Sequence, residues 1–133
     1  MRQFGAVLIL LCFGLAHAQD KWINLVTSKD GQQIYYGLAG SYEVSQNKAG
    51  EEIVVMTTKV KDEREGTVRL EKIYVRTLHC LKNQGKAVRL DLDGKFKGEF
   101  DFIFDAGTVG TYQAQFLCEI WLNDLKEKAG KGI

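Results

Sequence analysis

Residues 99–125 read EFDFIFDAGTVGTYQAQFLCEIWLNDL, and the apolar period changes inside this stretch. In Glu99–Asp105, Phe100, Phe102 and Phe104 alternate with Glu99, Asp101 and Ile103. That period of two belongs to a strand with one core face and a mostly wet reverse. From Tyr112 the repeat becomes helical. Tyr112, Phe116, Ile120 and Asn123 fall on one line, Gln113, Leu117, Trp121 and Leu125 beside it, and Ala114, Cys118 and Leu122 on a third. So broad an apolar arc predicts a substantially buried helix. Thr111 is the expected N-cap, Lys126 and Lys128 suit the negative C-terminal end, and Gly130 and Gly132 are expected to end it.

Upstream, the pattern is that of strands. Trp22–Thr27 and Gln33–Gly37 flank the turn signal Lys29-Asp30-Gly31 and predict a first hairpin. Gly37 to Gly50 is rich in Gly, Ser and Asn, a loop with a short extended piece at Ser41–Val44. Ile53–Val60 is a strand on β-branched content, and Asp62–Gly66 a charged turn. Val68–Leu81 reads as one long central strand, with apolar residues on both parities. Lys86–Asp91 and Glu99–Asp105 flank Asp93-Gly94, a good hairpin dipeptide. The expected class is α+β: a single antiparallel β-sheet with a C-terminal α-helix packed on one face, over the Phe100, Phe102 and Phe104 stripe. Proline is absent from the chain, so no edge strand carries that guard against sheet extension. A homodimer through a sheet edge is therefore an expectation to test.

The chain opens with Arg2, an apolar run from Phe4 to Ala16, and Ala16-His17-Ala18. A charged start, a short apolar run and small residues at −3 and −1 are the parts of a secretory signal. Residues 1–18 are thus expected to be a cleaved leader, with one domain over 19–133, in the periplasm or at the cell surface. Cys12 follows Leu11 inside the apolar run, where a lipidation site would want a small residue before it. No stable membrane insertion is expected once the leader is removed. Cys80 and Cys118 remain, an even count that in an exported chain favours one disulfide over free thiols.

Without Arg2, the 18 basic residues fall to 17, equal to the 17 acids. This balance argues against a nucleic-acid partner. Residues 59–97 nevertheless hold eleven Lys and Arg against six acids. If one sheet face collects them, it suits a protein or polyanionic partner; the other reading is that they line the wet side of antiparallel strands. Arg69, Lys72, Arg76 and Arg89 are the candidates, with Tyr35 and Tyr36 as aromatic contacts that equally well pack in the core.

No catalytic signature appears. P-loop, dinucleotide, nucleophile-elbow and HExxH patterns are absent, so no cofactor, catalytic residue or metal ligand is assigned. Asp91-Leu92-Asp93-Gly94 lacks the glycine and glutamate of a calcium loop at the sixth and twelfth positions, where Phe96 and Phe102 stand. His79 is the one histidine outside the leader, and it adjoins Cys80. On a strand the two would point to opposite faces.

Trp22, then Asp30-Gly31, Tyr35-Tyr36, a basic strand leading to Cys80, a Phe-rich hairpin and a helix carrying Cys118 together resemble the bacterial surface-adhesin protein E family across residues 22–122. The resemblance implies a small antiparallel sheet, a helix on one face and a closing disulfide. It also implies adhesion to host matrix or serum proteins. The founding adhesin of that family is lipid-anchored, a feature without a counterpart here, and no binding residue is carried over. The alternative function is a periplasmic inhibitor or accessory subunit of a cell-envelope enzyme or complex.

Overall fold

Aspartates organise the tight turns that cut this chain into strands. Asp30 accepts hydrogen bonds from the Ser28 hydroxyl (2.7 Å) and the Gln32 N–H (3.0 Å). Asp62 accepts from the N–H groups of Arg64 and Glu65, and Asp91 from those of Asp93 and Lys95. Each side chain closes a local turn that would otherwise leave backbone donors unpaired. The structure, a computed structural model, describes residues 21–131. The expected leader, Cys12 and Gly132 lie outside the described residues.

Seven strands form one antiparallel sheet: β1 (Trp22–Thr27), β2 (Gln33–Leu38), β3 (Glu43–Gln46), β4 (Glu52–Asp62), β5 (Thr67–Arg76), β6 (Gln84–Leu90) and β7 (Phe96–Ile103). Among the described residues, two helices complete the fold, α1 (Thr77–Lys82) between β5 and β6, and α2 (Val109–Lys131) after β7. The strand order is β1-β2-β4-β5-β6-β7. β3 and β2 share one side of β4, pairing with Glu52–Val55 and Thr58–Asp62 respectively. The predicted α+β class, with a helix on one face of an antiparallel sheet, is the observed one.

The core lies between the sheet and α2. Val54 and Met56 of β4, Ile73 and Val75 of β5, Ala87 of β6 and Phe102 of β7 meet Ala114, Leu117, Cys118 and Trp121 of α2. The helical set has the 3–4 spacing of a single stripe. Phe102 is fully buried, Phe100 and Phe104 are partly so, and Asp101 and Ile103 face water. Cys80 and Cys118 are both fully buried and bonded, with Cα atoms 5.2 Å apart, which ties α1 to α2.

The long strand expected over Val68–Leu81 ends at Arg76. Thr77–Lys82 is a helical turn, closed by Asn83 in the left-handed conformation (φ 60°). Thr77 and Cys80, three apart, are buried, while Leu78 and Leu81, also three apart, are exposed. The two-residue spacing of Leu78 and Cys80 mimicked a strand, but the helical faces decide their burial. Opposed directions along a strand therefore do not describe His79 and Cys80. Gly85 follows from this turn: a Cβ there would lie 2.2 Å from the His79 ring, so only glycine lets β6 pass beneath α1.

Two boundaries of α2 also differ from expectation. Thr108, not Thr111, caps it, its hydroxyl accepting from the Thr111 N–H (3.1 Å) and its carbonyl from Tyr112. Thr111 is buried in the first turn. Gly130 lies within the helix rather than ending it, and residues 125–130 are exposed. The short extended piece falls at Glu43–Gln46, slightly later than Ser41–Val44.

Candidate binding site

Register sorts the six candidate binding residues onto two faces. Tyr35 lies opposite Val60, Val60 opposite Arg69, and Ile73 opposite Arg89. Tyr35, Arg69 and Arg89 therefore share the face that carries α2. Tyr36 lies opposite Lys59 and Lys72 opposite Leu90, so Tyr36, Lys72 and Arg76 are on the other, open face. No single surface collects all six.

On the helix-bearing face, Glu71 is almost fully buried and holds two arginines. Arg69 donates through Nε to Oε1 (2.8 Å); Arg89 donates through Nε (3.0 Å) and Nη2 (2.8 Å) to Oε2. A buried carboxylate is tolerated only when its lone pairs are satisfied in this way. Nothing in the isolated sequence marked Glu71 as buried.

The open face carries a groove of about 740 Å³. Its floor is Ile53 and Val55 of β4, Tyr74 of β5, Val88 and Leu90 of β6, and Phe96 at the start of β7. The 46–49 turn forms one wall and the 93–96 hairpin tip the other. Ile53 and Val55 are buried although no helix covers them, while Phe96 remains 67% exposed at the mouth. These residues escaped the sequence reading. Their signal was the unbroken apolar run Ile53-Val54-Val55-Met56, which puts apolar side chains on both faces of a strand. Lys48, Lys95 and Asp93 line the groove and Lys72 stands beside Leu90; none of the three lysines is in an ion pair among the described residues, so the lysines outnumber the one acid.

Further along this face, Lys59 sits 4.5 Å from the Trp22 ring centre and 4.7 Å from that of Tyr36. The cation lies against both aromatic rings. Tyr36 is thus engaged within the molecule.

The 46–51 wall is braced at its base. Asn47 accepts from the N–H groups of Ala49 and Glu51, and donates to the Glu51 carboxylate (3.1 Å). Glu51 also pairs with Arg76, whose Nη2 donates to His79 Nε2 (2.8 Å). The hydrogen bond from Asn47, with the nearby Arg76 charge, holds the Glu51 carboxyl below its ordinary 4.5. A depressed carboxyl contributes stability above the unfolded pKa and loses it as pH falls through the folded value. Acidification below the usual carboxylate range is therefore expected to loosen the 46–51 turn. Backbone amide shifts of Ala49 and Glu51 followed against pH check this, and Glu51→Gln should remove the transition. A transition that persists in Glu51→Gln would assign it elsewhere.

Among the described residues, no three His, Cys, Asp or Glu side chains cluster as metal ligands, and no helix is long and apolar enough to cross a membrane. Among the described residues, the unpaired sheet edges are the outer sides of β1, β3 and β7. Comparison of the chain with family models, curated proteins and solved structures finds no match in any of the three. Its class is accordingly defined by its own geometry: a disulfide-clamped α+β domain with an apolar groove on the uncovered sheet face, its rim carrying Lys48, Lys95 and Asp93.

Proposed function

We propose that the chain is an exported binding module whose open-face groove docks a partner-protein segment bearing both apolar side chains and carboxylates. One observation carries this reading: six apolar residues from four strands floor a single groove on the face that α2 leaves uncovered. Contiguous exposed apolar surface of this kind marks interaction sites. Phe96 and Tyr74 are suited to anchor a contact, since a few large side chains usually dominate binding energy. Lys48, Lys72 and Lys95 favour an acidic segment and would steer its approach. The resemblance to the surface-adhesin protein E family directs the choice of partner to host matrix or serum proteins. Export to the envelope or cell surface accords with the leader read in residues 1–18.

The test immobilises residues 19–133 and offers serum and envelope extract side by side. Wild type is compared with Phe96→Asp and Lys72→Glu, after melting curves have shown all three folded. The expected result is a serum or matrix protein held by wild type and bound more than about tenfold more weakly by Phe96→Asp. Lys72→Glu should slow association, most visibly below about 0.15 M salt. A partner held equally by Phe96→Asp removes the groove from the account. A stoichiometric complex formed only with an envelope protein would replace adhesion with the accessory-subunit role.

A further inference from the structure

The second site lies on the opposite face of the sheet, where β5 and β6 meet the start of α2. A pocket of about 230 Å³ is lined there by Arg69, Glu71, Arg89, Val109, Gly110 and Gln113, among others. Gly110 lets the helix start come this close. A Cβ on it would stand 2.5 Å from the Phe100 ring, so any larger residue would push the first turn of α2 away from β7.

The charges in this pocket do not cancel. Glu71 neutralises one of two guanidiniums and leaves one positive charge. It engages Nε of Arg69, and Nε and Nη2 of Arg89. Both Nη atoms of Arg69 and Nη1 of Arg89 have no protein acceptor among the described residues. Because the buried carboxylate fixes both planar forks, their remaining donors are already ordered before any ligand arrives. Val109 and Gly110 open α2 and have no intrahelical acceptor for their N–H groups, and the helix end adds partial positive charge.

A separate observation points to a ligand. Gln113 is 93% buried, being 7% exposed, and it lines this pocket. Its side-chain amide makes no hydrogen bond among the described residues. The amide's polar atoms are not sealed from water, so they are open to a guest in the pocket. Here the open amide lies in the same cavity as the unused guanidinium donors.

We propose that this pocket binds one small oxyanion, a phosphate or sulfate group, through Arg69, Arg89, Gln113 and the N-terminus of α2. The donors outnumber what the two oxygens of a carboxylate can use, which favours a tetrahedral group. The volume falls below the roughly 300–1,000 Å³ of drug-sized ligand sites, so the pocket holds the anionic group and leaves any attached residue outside. That group can be a free ion or the end of a monoester.

The experiment titrates inorganic phosphate, inorganic sulfate and phenyl phosphate into residues 19–133, with chloride at matched ionic strength as control. It reads the Gly110 backbone amide, the Gln113 side-chain amide and Tm. Saturable shifts at both amides and a rise in Tm that follows mass action, absent with chloride, are expected. Tighter binding of phenyl phosphate than of the free ion would identify a monoester as the ligand; equal binding would identify the ion. Arg69→Met should weaken binding at least about tenfold, as loss of a charged hydrogen-bond partner does. Gln113→Leu, nearly the same size, should weaken it without lowering Tm, which covers the case in which Arg69→Met fails to fold. Phe96→Asp, on the other face, should leave it unchanged. Shifts that chloride reproduces, or full binding by Gln113→Leu, would overturn the proposal and leave Arg69, Glu71 and Arg89 as a structural triad.

Discussion

Cys118→Ser is expected to cost about 4 kcal/mol of stability, because the bond closes a 38-residue separation and loop-entropy loss of that length has this size. A domain of this kind has roughly 5–15 kcal/mol in total, so the change removes a large part of it. The corresponding fall in Tm is about 15 °C. Both cysteines are fully buried, and the serine hydroxyl would also enter an apolar core without an assured partner. The loss should appear first as fraying between α1 and α2, the two elements the bond joins. Reduction of the wild-type domain should reproduce most of the effect. Thermal melts with and without reductant, together with thiol labelling under native and denaturing conditions, check this. Two free thiols in the purified protein, or equal melts, would contradict it.

Phe102→Ala is the other large effect. The side chain is 2% exposed and packs within the cluster that includes Ala87 of β6 and Leu117 of α2. Its ring centre lies 6.2 Å from that of Phe104. Truncating a buried phenylalanine removes apolar burial and leaves a cavity, about 3–5 kcal/mol together. Asp101, the next residue, points to solvent, where it bonds Lys86 (2.8 Å). Asp101→Ala should therefore change stability little, as exposed ion pairs contribute little. Denaturant melts of the two variants give the comparison. Similar small losses at both sites would mean that the strand's inward parity, or the docking of α2 upon it, is wrong.

The sequence alone determined the features that depend on neighbours along the chain. The alternation at Phe100, Phe102 and Phe104 marks a strand with one buried face, and the helical period from Tyr112 to Leu125 marks the helix that covers it, though its broad apolar arc did not single out Ala114, Leu117, Cys118 and Trp121. Periodicity also separates Arg69 from Lys72 within β5, since odd and even residues face opposite ways. Tertiary structure decided what neighbours in sequence could not. Whether Thr77–Lys82 continues the strand or turns into α1 depends on where Cys80 must stand to reach Cys118 in the core, a contact 38 residues away. The union of Arg69, Glu71 and Arg89 depends on the β5–β6 register, which sets Ile73 opposite Arg89. The groove joins residue 53 to residue 96 across four strands. A strand's own pattern reports which way each side chain faces. Only the pairing of strands, which burial of the common core selects, reports which side chains become neighbours.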